Sequence, residues 1–389
     1  MRFSVQRWIP CVPELAFVLA THPSAMNRWS EARIEAVDPG EGGHVSSVGA
    51  TRFVHLPDSL LSRDTRLEEV VVESRPPHRF VYRVVGGAPL SWHEGVQELT
   101  PRVDPRGSGT PGTWLIWHVD AQLDVPVPGA DTLVRRQLEA GLRRSLEAMV
   151  TAAHEGVDAE PLPRWTRPPE EDEPTLRRAA ERVEAELREA HRRRRGDPRA
   201  VFAGFLAELS AEWMAMARRG VAHSGWVLRL IPLSARYYLD ALQGDDDGSC
   251  EGHWREAFRS AERSMRTRPY LDAVRDALGS SLRAHLEEDL PRVLATTFAD
   301  HYAGRYGFAR FRADHRVLGR TFGPAAERFF AEFPRDAWPW GQRLARRAMP
   351  ASLRSRPLGR QDRWLHRSRG RAFDRGERLA RLLVRAVRA

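Results

Sequence analysis

Apolar and polar residues follow two periods along this chain, and the change between them falls near residue 130. Before it, runs rich in β-branched and aromatic residues dominate, several strictly alternating. Phe3 to Ile9 reads as a short strand. ELAFVLATHPSAMNRW then forms a helical stretch broken near Pro23 and ending at Trp29. Six further strands are expected at ARIEAV, VSSVGATRFVHL, TRLEEVVVES, RFVYRVVG, SWHEGVQELT and TWLIWHVDAQL. DPGEGG, LPDS, RPPH, GGAP and DPRGSGTPG supply the turn chemistry between them.

A helix of about 25 residues follows, with Asp131 as its candidate N-cap. Val134, Leu138, Gly141, Leu142, Ser145, Met149 and Val150 share one stripe by three- and four-residue spacing. Arg135, Glu139, Arg143 and Glu147 alternate in sign on the opposite, solvated face. Residues 157–174 are a Pro- and acid-rich linker. Beyond it the strand period disappears, and 175–389 reads as an all-α domain ending in an Arg-rich tail. The expected organisation is therefore an α+β domain over 1–156, a linker over 157–174 and a helical domain over 175–389.

Composition narrows the chemistry. No lysine occurs, so all 61 basic residues are arginine and Schiff-base or P-loop mechanisms are excluded. The net charge of +9 partly reflects that arginine bias. Without a reading motif beside it, nucleic acid is not an expected partner. Cys11 and Cys250 have no metal or redox spacing and read as free thiols. No run approaches the roughly 18 uninterrupted apolar residues of a membrane span. The first residues lack a signal-peptide core, and the expected location is cytoplasmic.

VPELAFVLATHPSAMNRWSEARIEAV, VGATRFVHLP and EVVVESRPPHRFVYRVVGGAPLSWHEGVQELTP, with the last strand and long helix, carry a resemblance. Order, spacing and turn residues over 1–155 are similar to the helix-grip superfamily of polyketide cyclases/dehydrases and START-type lipid carriers. The resemblance implies an antiparallel sheet gripping the C-terminal helix around an apolar pocket for a hydrophobic small molecule, lipid or polyketide-like. It implies a lining of Trp29 at the pocket mouth, Arg52, Glu69, Tyr82, Trp92, His93 and Trp117, with Leu138, Gly141 and Leu142 from the helix. Strand parity lets only one of Trp92 and His93, and one of Trp114 and Trp117, face inward. Gly141 would relieve crowding where the helix crosses the cavity. On the bland reading the aromatics are core, Arg52 and Glu69 form a rim ion pair, and His93 is a hydrogen-bonded strand residue. Binding is the primary expectation. A cyclase/dehydratase working in the same cavity is the alternative.

In the helical half, ARYYLDALQ, WREAF, AHLEEDLPRVL and HYAGRYGFARFRADHRVL resemble an uncharacterised helical bacterial family defined as a domain of unknown function. No cofactor is expected. His285 and Asp289, four apart, are the one candidate metal pair, with Asp300/His301 and Asp314/His315 as further ligands in a metal-dependent enzyme. Against that, Asp289 before Leu290-Pro291 can simply cap the next segment. Fifteen arginines against three acids in the last 49 residues, beside the stripe of Leu379, Leu382, Leu383, Ala386 and Val387, offer a peripheral contact with an anionic membrane. The competing reading is a solvated helix docked on the bundle.

Overall fold

Strand β1 (Arg2–Ile9) buries Phe3, Val5 and Ile9 and exposes Arg2, Ser4 and Gln6, as its alternation demands. The structure is a computed structural model, and it describes residues 1–57, 65–88, 90–105, 107–123, 129–156, 158, 160–218, 220–333 and 359–388. Part of the expected LPDS turn and tail residues 341–358 lie outside the described residues. The chain divides into two compact units, Met1–Arg167 with Ala309–Ala313, and Pro168–Phe308 with Asp314–Ala389. The division lies inside the expected linker, and residues 309–313, read from sequence as part of the helical domain, pack with the first unit instead.

In the first unit, helices α1 (Pro13–Thr21) and α2 (Pro23–Met26) follow β1, each started by a proline whose missing N–H costs nothing there. Then come β2 (Arg33–Asp38), β3 (Thr51–His55), β4 (Arg66–Arg75), β5 (Arg79–Gly86), β6 (Leu90–Val103), β7 (Pro111–Leu123) and helix α3 (Ala130–Glu155). The seven strands form one antiparallel sheet in the order β1-β7-β6-β5-β4-β3-β2. This is the helix-grip arrangement: the first strand pairs with the last, and α1 and α3 share the core on one face. Phe17, Leu19, Trp29, Phe80, Leu115, Trp117, Leu146 and Met149 are among the buried residues of that core. Helix α3 begins one residue before Asp131. Gly129, in the left-handed region at φ 80°, occupies the cap position.

The second unit is helical. Its helices are α4 (Glu173–Arg193), α5 (Val201–Arg218), α6 (Ser224–Asp247), α7 (Gly252–Thr267), α8 (Tyr270–Ala284), α9 (Leu290–His301), α10 (Arg312–Leu318, whose first two residues fall in the first unit), α11 (Phe322–Ala331) and α12 (Gly359–Arg388). Asp172 caps α4 by accepting from the Thr175 backbone N–H at 3.2 Å. The segment Pro198–Arg218 is long and apolar enough to cross a membrane by composition, but 78% of it is buried, the signature of a core helix. Phe202, Tyr238, Trp254 and Phe258 stack around it at centroid distances of 5.2–5.7 Å. The two cysteines are free thiols, and burial pushes the Cys11 thiol up to about 12, leaving it protonated and inert.

Candidate functional site

Strand register sorts the expected lining residues onto faces. One row across the core face runs Ser74, Phe80, Gln97, Trp117, Val5. The next runs Val71, Tyr82, Gly95, Val119, Phe3, and a third holds Arg52 opposite Glu69. His93, opposite Ala121, shares this face, accepts from the Val84 backbone N–H at 3.2 Å and stacks 5.6 Å from Tyr82. The parity question is thereby answered: Trp117 and His93 face the core, Trp92 and Trp114 face away. Trp92 lies 4.6 Å from the Arg83 guanidinium and Trp114 lies 4.9 Å from that of Arg102. Trp92 therefore leaves the expected lining, because one step along a strand reverses the side chain.

Arg52 and Glu69 are not at a rim. Their side chains are 3% and 9% exposed, and Arg52 Nε donates to Glu69 at 2.7 Å. Arg52 Nη1 also donates to the Thr21 carbonyl at 3.3 Å, and its guanidinium lies 5.3–5.4 Å from the rings of Tyr82 and Phe80. Removing one partner of such a pair costs about 3–5 kcal/mol, because the other charge is left buried alone. The Tyr82 hydroxyl accepts from Trp117 Nε1 at 3.1 Å, and burial pushes its ionisation well above the ordinary tyrosine value, so it stays a neutral phenol. Gly95 makes room for it: a Cβ there would stand 2.3 Å from the Tyr82 ring. Trp29 is not at a mouth but in the core, 6% exposed, donating to the Leu19 carbonyl at 2.9 Å.

Gln97 was missed in the sequence. It is 0% exposed, and neither its amide nitrogen nor its carbonyl oxygen has a hydrogen-bond partner. Ser74 Oγ, two strands along the same row, is in the same condition. Its signal lay in parity: counting back from Leu99 puts Gln97 on the apolar face.

Helix α3 covers this face unevenly. Leu146, Met149, Ala152 and Ala153 are buried, whereas Val134 and Leu142 are half-buried, Leu133 is 51% exposed and Leu138 is 40% exposed. A Cβ on Gly141 would meet only an Arg144 guanidinium nitrogen at 4.0 Å, so this glycine relieves no crowding. On the helix's far side, Glu139 pairs with Arg143 at 2.6 Å while Glu147 reaches Arg7 at 2.6 Å. Each unit has an open groove, and neither groove lies between the core face and α3. One of about 340 Å³ lies at β1, β6 and β7, lined by residues such as Ser4, Glu94, Val96 and His118. The other, about 390 Å³, is in the helical unit. Beneath the C-terminal half of α3, where the hollow was expected, Leu146, Met149, Ala152 and Ala153 pack into the core. The uncovered apolar surface is on its N-terminal half, and Leu56, Leu67 and Leu90 of the sheet side are likewise only partly buried.

The candidate metal pair resolves into a hydrogen-bond network. Helix α8 runs into α9 through a π-helical turn, His285–Asp289, so Asp289 caps nothing. Its carboxylate accepts from His253 Nε2 at 3.0 Å and Trp254 Nε1 at 2.9 Å, with His285 Nδ1 3.6 Å away. Burial works against the Asp289 charge, but the neighbouring His253 and His285 outweigh it and hold the carboxyl below its ordinary range. Asp314 accepts from the backbone N–H groups of Ala222 and His223 and from the His223 ring, at 2.8–2.9 Å. His315 bonds the Arg369 carbonyl, and His301 lies beside Arg229. Among the described residues no three such side chains converge to hold a metal ion.

Residues 1–154 match the family described as polyketide cyclase / dehydrase and lipid transport, and residues 180–387 match DUF5995, a family of unknown function. Protein TTHA0849 of Thermus thermophilus is similar in structure at 16% identity, over 41% of this chain and 100% of its own, with a TM-score of 0.33. A START superfamily protein from Mycobacterium smegmatis is similar at 13% identity, over 40% of this chain and 97% of its own, with a TM-score of 0.33. No curated protein matches the chain.

Proposed function

The chain belongs to DUF5995, a family of unknown function, through residues 180–387, and we propose that its first unit binds a hydrophobic small molecule, lipid or polyketide-like. The observation that carries this reading is the uncovered apolar stripe on the N-terminal half of α3. Val134, Leu138 and Leu142 lie on it without the burial that Leu146 and Met149 receive further along the same helix. A helix that leaves half its stripe unsatisfied has apolar surface for a guest, and covering it is favourable by about 25 cal/mol per Å². The family description of residues 1–154, which includes lipid transport, supports the same class of ligand.

Carriage is preferred to a cyclase/dehydratase reaction because the polar candidates are already committed. Glu69 is held by Arg52, the Tyr82 phenol is kept neutral, and His93 Nδ1 accepts a backbone N–H. None stands ready to take a proton. Native mass spectrometry of the purified chain tests the proposal. The expected result is an additional non-covalent mass that organic extraction removes. A ligand-free spectrum, together with no response to a lipid or aromatic fluorescent probe, overturns it.

A further inference from the structure

The helical unit carries its own apolar groove of about 390 Å³, lined by Tyr237, Arg292, Ala295 and Thr296 on one side and by Leu379, Leu382, Leu383 and Ala386 of α12 on the other. Helix α12 packs through Ala372, Phe373 and Ala380, which are 1–2% exposed, and Leu383, three residues beyond Ala380, continues that side. Near its end two leucines nevertheless stay open: Leu382 is 60% exposed and Leu383 is 41% exposed. Arg378, Leu382 and Arg385, spaced four and three apart, form one exposed stripe. Among the described residues neither Arg378 nor Arg385 has an ion-pair partner, whereas Arg381 is paired with Glu377 and Arg292 with Glu251. The helix holds ten arginines and three acids.

We propose that the C-terminal turns of α12 dock on an anionic lipid bilayer, with Leu382 and Leu383 entering the acyl boundary and Arg378 and Arg385 flanking them to reach lipid phosphates. Charge and shape point the same way. Exposed leucines flanked by unpartnered guanidiniums match a surface that is apolar a few ångströms down and negative on top. Arginine's long stem lets its head stay at the phosphates while neighbouring leucines sink below them. A protein partner would have to be acidic around an apolar patch. A bilayer containing phosphatidylglycerol offers that combination over any area.

Sedimentation of the full chain with vesicles is the test. Vesicles of phosphatidylcholine with about 30% phosphatidylglycerol are expected to carry the protein down, and pure phosphatidylcholine vesicles are not. Leu382→Ser with Leu383→Ser is expected to weaken partition by about tenfold. Arg378→Gln with Arg385→Gln is expected to weaken it by roughly 30-fold. All four sites are exposed, so circular dichroism should report an unchanged helical fold. Absence of partition to the anionic vesicles overturns the proposal, as does partition that neither pair weakens. Loss in the arginine pair with full binding in the leucine pair also overturns it, since that is adsorption without insertion. So does self-association abolished by the leucine pair without any vesicle binding, which would assign the face to a second copy of the chain.

Discussion

Single residues decide more here than their types announce. Gln97 sits between Phe80 and Trp117 on the core face with its amide unsatisfied. Burying such a group without partners costs about 1–3 kcal/mol. Gln97→Leu keeps the size of the side chain and removes the penalty, so it is expected to raise the unfolding free energy by about 1–2 kcal/mol, measured by urea denaturation of ligand-free protein. A destabilised variant would mean that the amide is already paired in solution. Arg52, Glu69, Tyr82 and Trp117 were expected on this side of the sheet from the resemblance, and Gln97 was not. Glutamine in an alternating strand looks like the solvated partner of its apolar neighbours, although its parity with Leu99 and its register opposite Trp117 both place it inside. Trp92 is the converse case. Its type fits a pocket wall, and its parity sends it to Arg83 on the other face.

At the scale of elements, α3 is two helices in energetic terms. Its last turns are pinned by Leu146, Met149 and Ala152, while its first turns expose Leu133 and Leu138. Gly141 marks the transition and has open space beside it. Gly141→Leu therefore fits without a clash and is expected to stabilise the helix by about 0.5–1 kcal/mol. If a guest lies against this stripe, the new side chain occupies its place, and affinity for a lipid probe should fall about tenfold as stability rises. Unchanged probe affinity would show that the guest does not touch Gly141. The stripe itself was legible in sequence, because three- and four-residue spacing is a local property. How far along the helix the stripe is covered depends on where the sheet stops, and no local pattern carries that.

Across the whole molecule, each unit is held by buried polar groups as well as by its apolar core. In the helical unit the Asp289 carboxylate serves His253 and Trp254 together. Its folded value is depressed, so its contribution is present above the unfolded aspartate value of about 3.9 and is lost as pH falls through the folded value. Helical-unit stability, followed by far-ultraviolet circular dichroism in urea, is expected to drop as pH falls below about 4. Asp289→Asn, less stable at neutral pH, should lack this part of the acid dependence. An identical slope in the two proteins would remove Asp289 as its source.

What the sequence determined by itself was everything that repeats within one element: seven strand runs, several of them alternating, a long amphipathic helix, a helical second half, and a likeness to two families. These follow from backbone periods of two and 3.6, which each stretch of chain expresses on its own. Tertiary structure alone decided which face each strand turns inward, that Arg52 and Glu69 meet in the core, that Asp289 belongs to a hydrogen-bond network, and that residues 309–313 pack with the first unit. The physical reason is that these are pairings between residues distant in sequence. Their energy comes from register and burial, quantities that exist only once several elements have come together.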